Sequence, residues 1–509
     1  MIRLKKWLMH VSISLIAVIV FSPLYAKTTD IKDRDITLFL DIQLKHDDAV
    51  DAHMIDVTTT DGIVTLSGTV DNLLAKDQAV RIAESIKGVR GIVDNISVFP
   101  VRRTDQDIKK DVMQTLASDP ATAPYKIDVT VKNGVVTLSG KVKFWNGRQL
   151  VAQLAKGVRG VKEMNNKIGY NHQESDRPDK EIKAAIKHRL RLDPYVYDGL
   201  IDVYVEDGKV TLAGTVGSMA EKTRAYNDAW VAGVKSVNIN VLDVKWWLRN
   251  EMIKKDKFSI KSDEEIKKAV KDAFLYDSRV FSCNPQVEVK NGIVILSGVV
   301  DNLKAKRAAE EDALNTIGVS RVRNYLKVRP EKPPGDDEIA QSVKESLARD
   351  PVLEQDKITV RIRNKKVYLH GMVDNYYEKQ RAEDVASRAY GVVDIKNNLK
   401  VEYITSPKSD WEIKQDIESE LFWSYFVDSD DISVRVENGV ATLKGTVDSW
   451  QELHAAIENA FEGGARHVQS QLQVKGDSTT DASGYYSSPY KYMQPPSPSH
   501  FPVPMFPHM

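Results

Sequence analysis

One block of ten residues recurs through this chain and sets what it can become. In the first copy it reads Asp61-Gly62-Ile63-Val64-Thr65-Leu66-Ser67-Gly68-Thr69-Val70, and it returns from Asn133, Asp207, Asn291, Asn364 and Asn438. Asp-Gly or Asn-Gly between two alternating apolar runs predicts a β-hairpin, because both turn residues need positive φ. The fifth copy carries Asn364-Lys365 with no turn glycine, so its turn is expected to be strained or of another type. A second glycine follows in every copy: Gly68, Gly140, Gly214, Gly298, Gly371 and Gly445. A glycine closing a strand predicts a bulge or a close backbone approach, here by the next helix.

Upstream of each hairpin lies a helical pattern. Asp33, Asp105, Asp179, Asp263, Asp336 and Asp410 are its expected N-caps, since a short carboxylate satisfies first-turn N–H groups. Ile36, Ile108, Ile182, Ile266, Ile339 and Ile413 follow three residues later and open an apolar stripe. Asp-Pro at 119, 193 and 350 is expected to end the helix. From each isoleucine to the second glycine the interval is the same 32 residues, so no insertion separates helix from hairpin. Beyond the hairpin, alanine stripes such as Ala75, Ala79 and Ala83 predict a second helix. Gly-Val at Gly88, Gly157, Gly233, Gly318 and Gly391 marks its end, which makes this segment about one turn shorter in the second copy. A third strand, for example Ile92 to Val98, completes the unit.

The expected fold class is therefore α+β: a tandem array of six small αββαβ modules. Each has two helices on one face of a three-stranded mixed sheet, whose other face is wet. The modules span residues 30–99, 105–171, 178–244, 262–329, 336–403 and 410–475. Residues 245–261 form a basic, tryptophan-containing linker that separates two groups of three. Residues 1–26 read as a signal peptide: Arg3, Lys5 and Lys6 precede an apolar run from Val11 to Phe21, and Ala26 precedes the cut. The expected location is the periplasm, with an uncleaved anchor as the alternative. Residues 476–509, rich in Pro, Ser and Tyr, are expected to be a disordered tail. Cys283 is the sole cysteine, so no internal disulfide can form.

Lys+Arg and Asp+Glu balance at 72 each, which gives no support to nucleic-acid binding. No phosphate loop, nucleophile elbow or Cys/His cluster is present, so no catalytic residue, cofactor or metal is assigned. His46, Asp47, Asp48 and His53 read as a solvated helix end rather than a metal site. The candidate lipid contacts are Trp246, Trp247, Arg249, Lys254 and Lys255, where basic residues interleave with indoles suited to headgroup depth. Trp145 and Trp450 stand at the start of second helices and join that set, with core packing as the competing role.

The element order, the hydrophobe-x-Val-x-Asn/Asp-Gly-x-Val-x-Leu-Ser-Gly-x-Val core, the alanine-rich second helix and the Gly-Val end resemble BON domains. The resemblance runs from about Asp30 to Lys475. It implies a non-enzymatic module of the cell envelope, associated with phospholipid membranes, osmotic stress and envelope maintenance. Some members resemble periplasmic chaperones. The implied partners are a phospholipid membrane surface or envelope proteins. Oligomeric state is left open.

Overall fold

The computed structural model describes residues 31–50, 54–170, 177–248, 261–281, 283, 285–402, 408–475 and 484–486. The expected signal peptide, Arg249, Lys254, Lys255 and His53 lie outside the described residues.

Six like modules follow one another. Each opens with a 14-residue helix: Asp33–His46, Asp105–Ser118, Asp179–Leu192, Asp263–Tyr276, Asp336–Arg349 and Asp410–Trp423. The isoleucine stripe of that helix is buried in every copy. A hairpin follows, then a second helix beginning at Leu73, Trp145, Met219, Leu303, Tyr376 or Trp450. The third strand then pairs parallel to the second, while the first two strands are antiparallel. Each sheet is thus mixed, with the hairpin's second strand in the middle, and both helices cover one face, as expected.

The hairpin turns explain the repeated aspartates differently from the expectation. Both central residues have positive φ in all six copies, including Asn364 at 53° and Lys365 at 62°. The fifth turn is therefore of the same type as the others, with the strain placed on a lysine. The six aspartates are the first helical residues, not the caps; the caps are Lys32, Thr104, Pro178, Ser262, Gly335 and Ser409. Each aspartate points across to the hairpin and accepts the backbone N–H of both turn residues, one per carboxylate oxygen. The twelve distances lie between 2.6 and 2.9 Å. A type I′ turn leaves these two N–H groups pointing outward, and a carboxylate can satisfy both at once. The constant interval between helix and hairpin is the reach of this clamp.

The second glycine also has another cause. The central strand runs on past it, to Val70 in the first module, with Gly68 at φ 119°. The close neighbour is the carbonyl of the residue just before the first strand, such as Met54 or Lys126, not the following helix. A Cβ at Gly140 would sit 2.6 Å from the Lys126 oxygen. In the fourth module Pro285 stands opposite Gly298 and has no N–H to donate. The ladder opens there, the central strand breaks between Ser297 and Val299, and Gly298 meets nothing closer than 3.8 Å.

Two further expectations are corrected. In the second module the left-handed glycine is Gly160, at φ 91°, while Gly157 lies at φ −79°. Gly160 rests on Ile108 as Gly88 rests on Ile36, so this module is not a turn shorter. Within the tail, Gly484–Tyr486 pairs antiparallel with the third strand of module six, because that strand is otherwise an open edge.

The modules are not two groups of three. The first three share a continuous core, and Trp423 of module six is part of it, stacked on Phe39 of module one at 4.7 Å. Arg159 of module two reaches the chain of module five, where it donates to the Asp350 carbonyl. Gln451 of module six donates to the Leu314 carbonyl of module four. No named strand of one module pairs with a strand of another. The modules meet through helices and corner turns, so the uncovered sheet faces remain on the outside.

Candidate functional site: charged helix interfaces within, open sheet faces without

The inner surfaces are built from the helix-one corner and from the second helix. The aspartate that ends the first helix folds back in an Asx turn and accepts the N–H two residues on: Ala49, Ala121, Tyr195, Arg279 and Val352 are the donors. In three copies the carboxylate also meets a cation or amide of the second helix. Asp193 takes Arg224, Asp350 takes Arg381 at 2.7 Å, and Asp47 takes Gln78 at 2.8 Å. Two of the Asp-Pro aspartates read as helix stops, Asp193 and Asp350, are therefore also anchors for the second helix. Sequence reasoning missed that role because the partner lies about 30 residues away, on a surface that only the assembled molecule buries.

A cleft of about 360 Å³ lies where modules one to five converge. Asp77 and Arg81, Arg148 and Asn166, Arg224 and Asp228, Tyr276 and Arg279 face it, with Arg388 from module five. Ion pairs knit its walls: Lys156 with Asp77 at 2.7 Å between modules one and two, and Lys304 with Asp384 at 2.8 Å between modules four and five. Arg148 lies over the Trp145 ring at 4.7 Å, and Arg189 of module three lies over Tyr276 of module four at 4.6 Å.

Burial tunes these groups. It pushes Glu84 up to about 7, against the pull of its hydrogen bond from Thr223 of module three. Burial and the neighbouring Asp193 charge push Asp228 up to about 7. Burial and Glu462 push Glu420 up to about 8, at the contact with Gln43 of module one. Burial alone brings His454 down to about 4. Asp384 goes the other way: burial opposes its charge, but Arg388, Lys304 and Arg381 together outweigh that and hold it well below the usual carboxylate range. Most of these groups join one module to another, and the chemistry they do best is to hold the assembly closed.

Six stretches, residues 32–100, 104–171, 178–245, 262–330, 335–403 and 409–476, match the BON domain model. The chain belongs to the BON-domain family. It is 29% identical over 143 residues to osmotically-inducible protein Y of Escherichia coli K12, which covers 27% of this chain and 71% of that relative. Two structures of CdsD, a structural protein of the type III secretion system of Chlamydia trachomatis, overlay at 16% identity. They cover 42% and 45% of this chain and 98% and 100% of theirs, each at a TM-score of 0.12, too slight a likeness to bear an argument.

The expected lipid contacts are dispersed over these BON modules. Trp145 is only 7% exposed: it stacks on Trp230 of module three at 3.8 Å, with Tyr170 and Tyr226 edge-on. As the first residue of its helix it faces the neighbouring module, so it cannot meet a membrane. Trp450 is half-buried against its own core. Trp246 is half-buried in a short turn after the last strand of module three, and Trp247 beside it is 42% exposed. Of the expected helix-end cluster, Asp48 accepts the Tyr376 N–H of module five, an interface contact rather than a solvated end.

Proposed function

We propose that this BON protein is an exported, non-enzymatic envelope protein that binds a phospholipid surface with the outside of its assembled modules and serves the envelope under osmotic stress. The carrying observation is the division of surfaces. The buried charged groups around the cleft form ion pairs, some within a module such as Arg189 with Asp228 and some between modules such as Lys156 with Asp77 and Lys304 with Asp384, while the sheet faces and Trp247 stay open. The N-terminal basic-then-apolar stretch supports export to the periplasm, and the likeness to osmotically-inducible protein Y supports the stress setting.

Co-sedimentation of the chain lacking residues 1–26 with phospholipid vesicles tests the reading. Retention on vesicles is expected; absence of binding to anionic and neutral vesicles alike refutes it. A chaperone role is the second reading, favoured by Phe99 at 63% and Val101 at 64% exposure between modules one and two. Suppression of outer-membrane-protein aggregation at stoichiometric ratios, lost in Phe99→Ser/Val101→Ser, would select it.

A further inference from the structure

The six outward sheet faces are alike in backbone and unlike in charge. In module three the face carries Asp202, Glu206 and Asp243 against Lys209 alone. In module one it carries Asp56 among threonines, serine and asparagine. In module four the face carries Lys290, Arg321, Arg323 and Lys327 with Glu288. Module five carries the largest basic set of these. The strand register places Arg361, Tyr368 and Lys396 in one row across the three strands, and Arg363, Lys366 and Asp394 in the next. Thr359, His370 and Asn398 make a third row, and Met372 with Lys400 ends the face. Five basic residues thus share one small sheet with a single acid. Neighbouring strands are about 4.8 Å apart, so Arg361 and Lys396 flank Tyr368 within about 10 Å of one another.

Such an arrangement costs stability. Like charges on neighbouring strands repel, and sheets ordinarily interleave signs. Lys366 has its Asp394 partner. Arg361, Arg363, Lys396 and Lys400 are exposed and make no ion pair or side-chain hydrogen bond among the described residues. Met372, 49% exposed, lies beside them, and Tyr368 is half-buried in the middle row. A face with apolar groups among unpaired cations fits an anionic headgroup layer: the cations meet phosphates, while the tyrosine and methionine meet the interface.

We propose that the outward sheet face of the fifth BON module is the surface with which this protein docks on anionic phospholipid. This rests on the membrane reading above and assigns it to a place that neither the tryptophans nor the family match indicates. The cationic residues work as a set, each lowering the free energy of approach through the surface potential. Binding is therefore steeply dependent on the fraction of anionic lipid and on salt, since the interaction fades within a Debye length.

The test uses the chain lacking residues 1–26 and vesicles of phosphatidylcholine with or without 30% phosphatidylglycerol. The variant is Arg361→Glu/Arg363→Glu/Lys396→Glu; Arg361→Gln/Lys396→Gln is a milder second variant in case the first fails to fold. The control, Lys132→Glu/Lys141→Glu/Lys167→Glu, makes the same change in net charge on the exposed face of module two. The expected result is a loss of at least tenfold in affinity for anionic vesicles in the triple variant, a smaller loss in the milder one, and less than threefold in the control. Equal losses in variant and control overturn the assignment, as does equal wild-type binding to both vesicle types; in either case membrane binding itself stands. If the wild-type chain binds no vesicle, the membrane reading falls and this assignment with it. Capture by soluble polyphosphate without vesicle binding also overturns it.

Discussion

Alanine at Gly140 and alanine at Gly298 are the same substitution at the same motif position, yet their costs should differ by about 2 kcal/mol. Both glycines have positive φ, 136° and 119°, so both variants bear the strain of an L-residue in that region, about 2 kcal/mol. Only the second module adds a collision. There the new Cβ meets the Lys126 carbonyl at 2.6 Å, roughly 0.8 Å inside an ordinary contact. The oxygen belongs to the backbone just before the first strand, so relief requires moving that strand and weakening its Ile127–Gly140 pairing. Overpacking of this kind costs about 1–3 kcal/mol. In the fourth module the nearest atom is the Leu326 Cδ2 at 3.8 Å, which costs nothing. Gly140→Ala should therefore cost about 4 kcal/mol and Gly298→Ala about 2 kcal/mol. A chain of six modules is not a two-state system, so the measurement is hydrogen exchange resolved by module. The protection of strands 127–132 and 135–142 should collapse in the first variant, while that of module four falls modestly in the second. Equal effects would refute the argument that Pro285 has relieved the fourth module of this contact.

Asp263→Ala removes the acceptor for Asn291 and Gly292 N–H, and it should cost module four about 2 kcal/mol, with those two amides losing exchange protection. Asp263→Asn should recover only part of this, because one oxygen becomes a donor. Lys365→Gly should stabilise module five by up to about 1 kcal/mol, because relief of left-handed strain exceeds the added chain entropy; a loss in thermal melting would count against it. Glu84 is held up from 4.5 to about 7, so its contribution is full below pH 4.5 and is lost as pH rises to about 7. Hydrogen exchange resolved by module should show the stability of module one falling through that window by on the order of 3 kcal/mol from this residue, and Glu84→Gln should flatten that part of the profile.

The repeated skeleton was legible because it is local. The Asp/Asn-Gly turns, the isoleucine stripes and the fixed interval lie within stretches where spacing alone carries the information. The aspartates were located but misread as caps, since the turn amides they hold are 28 and 29 residues on and leave no periodic trace. Gly157 was chosen over Gly160 because two Gly-Val pairs stand three residues apart, and only the packing against Ile108 separates them. The contacts between modules left the weakest trace. Arg159 with Asp350 or Trp145 with Trp230 depends on how whole units dock, and a solvated face has the same composition as a docked one until it docks.

Phe39 lies on Trp423 although 383 residues separate them along the chain. The first module to emerge during synthesis must therefore wait for nearly the entire polypeptide before the Phe39 ring is covered. Final closure should be a slow docking step after the individual units have formed. Fragments that stop short of the sixth unit would leave Phe39 bare and self-associate, with the aggregation rate rising with fragment concentration.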